Sequence, residues 1–108
     1  MISDAEVERA IDWMRDNADK DAQARAEAVY MESWVKCERA RLTTANAGMS
    51  NAAARDLAEC HPEYLAALQA YRDAVREDFR RRFLRDAAEA KLRAWQTQSS
   101  NERAQRVV

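Results

Sequence analysis

Few side chains in this sequence could do covalent or metal chemistry: one histidine, His61, and two cysteines, Cys37 and Cys60. Cys60 and His61 adjoin, which invites a thiol–imidazole pair in which the ring takes the thiol proton and leaves a nucleophilic thiolate. Adjacent residues on a turn rarely point at one another, and catalytic partners usually come from distant segments, so two unreactive thiols are the expectation. Zinc asks for about four Cys or His ligands, usually in pairs. The chain has three such residues in total. Acids at helical spacing occur, Asp12 with Asp16 and Glu59 with Glu63, but no Glu-x-x-His motif accompanies them. A single glycine, Gly48, cannot build a phosphate-cradling loop. The sequence therefore reads as non-enzymatic, with no catalytic residues, no metal and no cofactor.

The sharpest chemical feature is Phe79-Arg80-Arg81-Arg82-Phe83-Leu84-Arg85, in which four arginines surround three large apolar residues with no acid among them. On a helix, Arg72, Arg76 and Arg80 align at i, i+4 and i+8, and Arg81 and Arg85 form the next ridge. Lys91 and Arg93 extend the basic character. Such a ridge could track a phosphate backbone, since the guanidinium fork matches phosphate oxygens in pairs. The alternative is internal pairing with Asp73, Glu77, Asp78 and Asp86, or with acids nearer the N-terminus, each pair contributing a few tenths of a kcal/mol. Arginine outnumbers lysine fifteen to three, which GC-rich codon usage also explains. Arg72, Arg76, Arg80, Arg81 and Arg85 form the candidate contact set for nucleic acid or for a protein partner.

The elements that must carry these residues are helices. A chain of 108 residues suits one domain, and it holds one glycine and one proline, too few for the turns of a β-protein. The 47% hydrophobic fraction rests heavily on alanine, which removes little apolar area from water, so the core is thin and self-association would cover further surface. Residues 1–38 carry ten acids and five bases, whereas residues 39–108 carry nine acids and thirteen bases. An antiparallel fold would lay one half along the other and offset this asymmetry. No run approaches the roughly 20 apolar residues of a membrane span, and the start is polar rather than an export core, so a cytoplasmic protein with reduced thiols is expected.

Ser3 with Glu6 forms a capping box, and Val7, Ala10, Ile11 and Met14 follow as a helical stripe. This predicts a first helix over about 4–17. Asp19 or Asp21 then caps a second helix to about residue 45, with Ala22, Ala26, Val29, Ser33, Cys37 and Ala40 as its small-residue stripe. Asn46-Ala47-Gly48 tolerates the left-handed conformation that ends helices. Ser50 caps a short helix over 51–60. Pro62 suits a first turn, with His61 capping or preceding it. A long helix follows to about residue 96, carrying Leu65, Leu68, Val75, Phe79, Phe83, Ala87, Ala90 and Ala94 on one face. Thr97-Gln98-Ser99-Ser100 breaks the pattern, and about 98–108 reads as a short resumed helix or a mobile tail. At least two of Trp13, Trp34 and Trp95 are expected in the core.

The resulting fold class is all-α: a long antiparallel helical hairpin with one or two short additional helices, self-associating, with a dimer favoured. Residues 93–104, Arg-Ala-Trp-Gln-Thr-Gln-Ser-Ser-Asn-Glu-Arg-Ala, resemble the C-terminal signature of small helical proteins of tailed phages and prophages. The Ser50-x-x-x-Ala54 and Pro62-Glu63-Tyr64 region is similar too, so the resemblance covers the C-terminal half; Gln96 stands where an arginine often precedes the threonine. It implies an early-region protein, accessory to nucleic-acid machinery or inhibiting host machinery, as anti-CRISPR proteins do. The function expected is thus a helical interaction protein with an unidentified protein partner; direct DNA or RNA binding through the arginine ridge is the alternative.

Overall fold

A computed structural model describes residues 1–107. Three helices follow one another, α1 (Asp4–Thr44), α2 (Asn51–Glu59) and α3 (Pro62–Val107), with no strand among the described residues. The fold is an all-α helical hairpin with one short helix in its connection. The caps read from the sequence are present. The Ser3 amide donates to Glu6 Oε2 at 3.1 Å and the Glu6 amide to Ser3 Oγ at 3.2 Å, satisfying two amides that the first turn leaves without partners. Ser50 Oγ accepts from the Ala53 amide at 3.3 Å, and His61 Nδ1 accepts from the Glu63 amide at 3.1 Å ahead of α3.

Three expectations are corrected. The helices predicted over 4–17 and from about 21 are one helix, because nothing between Asn17 and Asp21 forces a break: Asn17 donates to the Trp13 carbonyl one turn back at 2.9 Å instead of capping anew. α3 runs through Thr97–Ser100 to Val107 rather than stopping near residue 96, while Val108, the end of the expected tail, lies outside the described residues. Gly48 does not adopt a positive φ. The end of α1 is finished by Asn46, whose side chain donates to the Leu42 carbonyl at 3.0 Å and whose amide donates to Thr43 at 3.1 Å.

The buried face of α1 is Val7, Ala10, Met14, Asn17, Asp21, Ala24, Ala28, Met31, Val35, Glu38 and Leu42, all buried or half-buried and spaced alternately three and four apart. α3 repeats the pattern at Tyr64, Ala67, Tyr71, Ala74, Asp78, Arg81, Arg85, Ala88, Leu92, Trp95, Ser99 and Glu102. This unbroken heptad spacing is that of a coiled-coil seam. The stripe expected from Ala22 to Ala40 is therefore the wrong face; all six of its residues are exposed. The core is thin. Among the eight buried hydrophobic residues, six are alanines, and only Val7 and Leu42 are larger.

Two compact units divide the chain, one of Met1–Ala22 with α3 from Arg80 onward, the other Gln23–Phe79. In the first, Trp95 Nε1 donates to Asp4 Oδ1 at 2.9 Å, and Gln98 clasps both backbone groups of Ile2, accepting at 3.2 Å and donating at 3.1 Å. In the second, Arg25 meets Asp78 and Arg41 meets Glu63, and α2 buries Ala54 and Ala58. Within each unit the two long helices thus run antiparallel.

Candidate interaction surfaces

The arginine ridge divides according to the heptad phase. Arg81 and Arg85 occupy seam positions of α3, and both turn onto Asp21, which is 8% exposed: Arg81 Nη1 lies 3.3 Å from Oδ1 and Arg85 Nη1 3.5 Å from Oδ2. A carboxylate that deep in an alanine-lined seam requires counter-charge, since burying an ion costs several kcal/mol when it is unpaired. Arg80 is exposed and also has a partner among its neighbours. Arg72 and Arg76 belong to the other unit and are exposed, with no ion pair among the described residues. The five candidate residues therefore do not form one uniform surface.

In the Gln23–Phe79 unit, Asp78 is the corresponding buried acid, 3.5 Å from Arg25 Nη1. Glu38, also buried, receives Arg41 Nη2 at 2.9 Å and Nε at 3.2 Å, while the same guanidinium reaches Glu63. The fork holds the Glu38 carboxyl below its usual range, against the opposing effect of burial; His61 adds a smaller pull in the same direction. The two carboxylates raise the Arg41 guanidinium further above its ordinary value.

Outside the seam, this unit exposes large apolar side chains on both long helices. On α3, Leu65 and Leu68 are 49% and 40% exposed and Phe79 45%, with Val75 half-buried between them. Leu65, Leu68, Gln69, Tyr71, Arg72 and Val75 line a depression of about 540 Å³. On α1, Val29, Tyr30 and Trp34 are exposed, Tyr30 at 61%. Hydrophobic periodicity groups these α3 residues on one face, but that face is not the buried one. The signal that separates them is their offset of one residue from the line Tyr64, Ala67, Tyr71, Ala74 and Asp78. Trp13 and Trp95 are half-buried and Trp34 is exposed, so none of the three joins the buried core, contrary to the expectation of at least two.

In the first unit, a second depression of about 300 Å³ is lined by Trp13, Leu84, Ala10 and Ala88 together with Glu6, Arg9 and Lys91. Cys37 and Cys60 are free and exposed. No cluster of three metal-ligating side chains occurs among the described residues. No helix there is long and apolar enough to cross a membrane. Comparison with family models, curated proteins and solved structures finds no match to the chain.

Proposed function

We propose that this chain is a non-catalytic helical interaction protein that acts through protein–protein contacts of its Gln23–Phe79 unit, as an accessory to or inhibitor of nucleic-acid machinery. The carrying observation is the disproportion between core and surface: buried hydrophobic residues that are six alanines with Val7 and Leu42, beside exposed leucine, phenylalanine, tyrosine and tryptophan on both long helices. Exposed large apolar residues gathered in one region mark an interface more often than a solvated face. Tyr30 and Trp34, one helical turn apart on α1, are the side chains that anchor protein interfaces best, because they bury much area for little lost side-chain freedom. The resemblance of residues 93–104 to small phage proteins supports the choice of process.

The test is capture from a bacterial host extract by immobilised chain after nuclease treatment, with Trp34→Glu as the comparison. Partners retained after nuclease and lost with Trp34→Glu support the reading; capture that vanishes with nuclease contradicts it. Direct nucleic-acid binding is a second reading, favoured by exposed Arg72 and Arg76. It is tested by anisotropy of labelled oligonucleotides across a salt series, where Arg72→Ala and Arg76→Ala should each reduce the salt slope by about one.

A further inference from the structure

We propose that the apolar line of α3 at Leu65, Leu68, Arg72, Val75 and Phe79 is the docking surface for a second copy of this chain, joined antiparallel through α3. The inference rests on the reading of the Gln23–Phe79 unit as an interaction module and assigns the occupant of one of its faces. The line has the same alternating spacing of three and four as the internal seam, displaced by one residue. Another helix with a seven-residue repeat can therefore follow it over several turns, and α3 is such a helix.

The line is also self-complementary. An antiparallel pairing with its two-fold axis between Arg72 and Val75 sets Phe79 of one copy over Leu68 of the other. Val75 then lies against the methylene stem of Arg72, whose charged head reaches past it to water. Along one edge of the line run Gln69, Asp73 and Arg76, with Gln69 donating to Asp73 at 2.9 Å. The same pairing brings Asp73 of each copy to within two residues, about 3 Å along the axis, of the level of Arg76 of the other, in reach of its guanidinium. A two-fold contact uses the same patch twice, so both pairs recur and the assembly closes at two copies.

The apolar residues present call for cover: the eight buried hydrophobic residues are six alanines with Val7 and Leu42, while Leu65, Leu68 and Phe79 stand 49%, 40% and 45% exposed. A core this thin needs cover whenever the chain is folded, and a second copy is present whenever the first is.

Sedimentation velocity of the full chain across micromolar concentrations tests the proposal. The wild-type chain should sediment as a dimer, Leu68→Ala should weaken it about tenfold or more, and Leu68→Glu should leave monomers. Tyr30→Glu, on α1, should remain dimeric. Asp73→Arg should dissociate the dimer and the exchange Asp73→Arg with Arg76→Asp should restore it, a comparison among exposed positions that stands even if Leu68→Glu fails to fold. A wild-type monomer throughout overturns the proposal, as does a dimer indifferent to Leu68→Ala and Asp73→Arg or one broken by Tyr30→Glu alone. With a monomeric wild type, binding of the dye ANS separates the two claims. Dye binding lost in Leu68→Ala leaves an open apolar face and spares the functional reading; unchanged dye binding removes the support of this face from it.

Discussion

Each of the two units carries a heptad seam between antiparallel helices, and the two differ in the residues they place on it. From Met1 to Ala22 with α3 beyond Arg80, the seam carries its own counter-charges: Asp21 lies between Arg81 and Arg85, and Trp95 and Gln98 hold the first residues of the chain. In Gln23–Phe79 the seam also pairs its buried acids, Asp78 with Arg25 and Glu38 with Arg41, and exposed large apolar side chains stand one position to either side of it. A polar layer inside a helical seam specifies register at some cost in stability, because only one alignment pairs the buried charges. An alanine seam lets helices approach closely but buries little area. Both units thus fix register with paired buried acids and both expose large apolar residues, Ile11, Phe83 and Leu84 in the first and Leu65, Leu68 and Phe79 in the second; the proposed pairing with another copy uses those of the second.

Substitutions that interchange these characters should have ranked effects. The largest is expected at the buried ion pair: Arg81→Ala leaves Asp21 with only the half-exposed Arg85 and should cost about 3 kcal/mol in chemical denaturation. Replacing both partners, Asp21→Leu with Arg81→Met, should recover most of that loss while weakening the preference for one register, seen as broadened amide resonances in the first unit. A double variant as unstable as Arg81→Ala would contradict this account of the layer.

Next come the helix starts, one in each unit. Ser3→Ala and Ser50→Ala each remove a side-chain acceptor from a first turn and should cost about 1 kcal/mol. Hydrogen exchange should show faster exchange at residues 4–8 for the first and at 51–55 for the second. Protection lost equally across both units in either variant would show that the units do not open separately.

The smallest effect is the pH dependence of Glu38. Its carboxyl is held below the usual range chiefly by the Arg41 hydrogen bonds. A depressed folded value contributes stability that is complete above the unfolded value, near 4.3, and is lost as pH falls through the folded one. The stability difference between wild type and Glu38→Gln should therefore be present at pH 6 and shrink below about pH 4. Glu63, which shares the Arg41 guanidinium, remains in both proteins, so the difference isolates Glu38. A difference that grows on acidification would reverse the assignment.

The all-α class and the helix starts are legible in the sequence because capping is local: Ser3 and Glu6, Ser50, and His61 with Pro62 act within a single turn. The continuity of α1 is not, because Asn17, Asp19 and Asp21 look like caps when the seam partner of Asp21 lies sixty residues away on α3. The phase of both seams was hidden for a related reason. Alanines occur on every face and carry no phase, and the residues that do, Asp21, Glu38, Asp78, Arg81 and Arg85, are charged and read as solvated. The arginine cluster was legible as a cluster. Which of its members turn inward depends on the position of Asp21 in the α1 heptad, so only the paired helices separate Arg81 and Arg85 from Arg72 and Arg76.

The central claim, that the α3 line of the second unit meets its own copy, is tested most directly by one spin label per chain, placed at position 72 through Arg72→Cys with Cys37 and Cys60 replaced by serine. With a single label in each chain, any dipolar coupling arises between copies. The expected result is a short, narrow distance distribution at position 72 and a longer one for a label introduced at Glu27. Absence of coupling at position 72, or a shorter distance at position 27, would contradict the account.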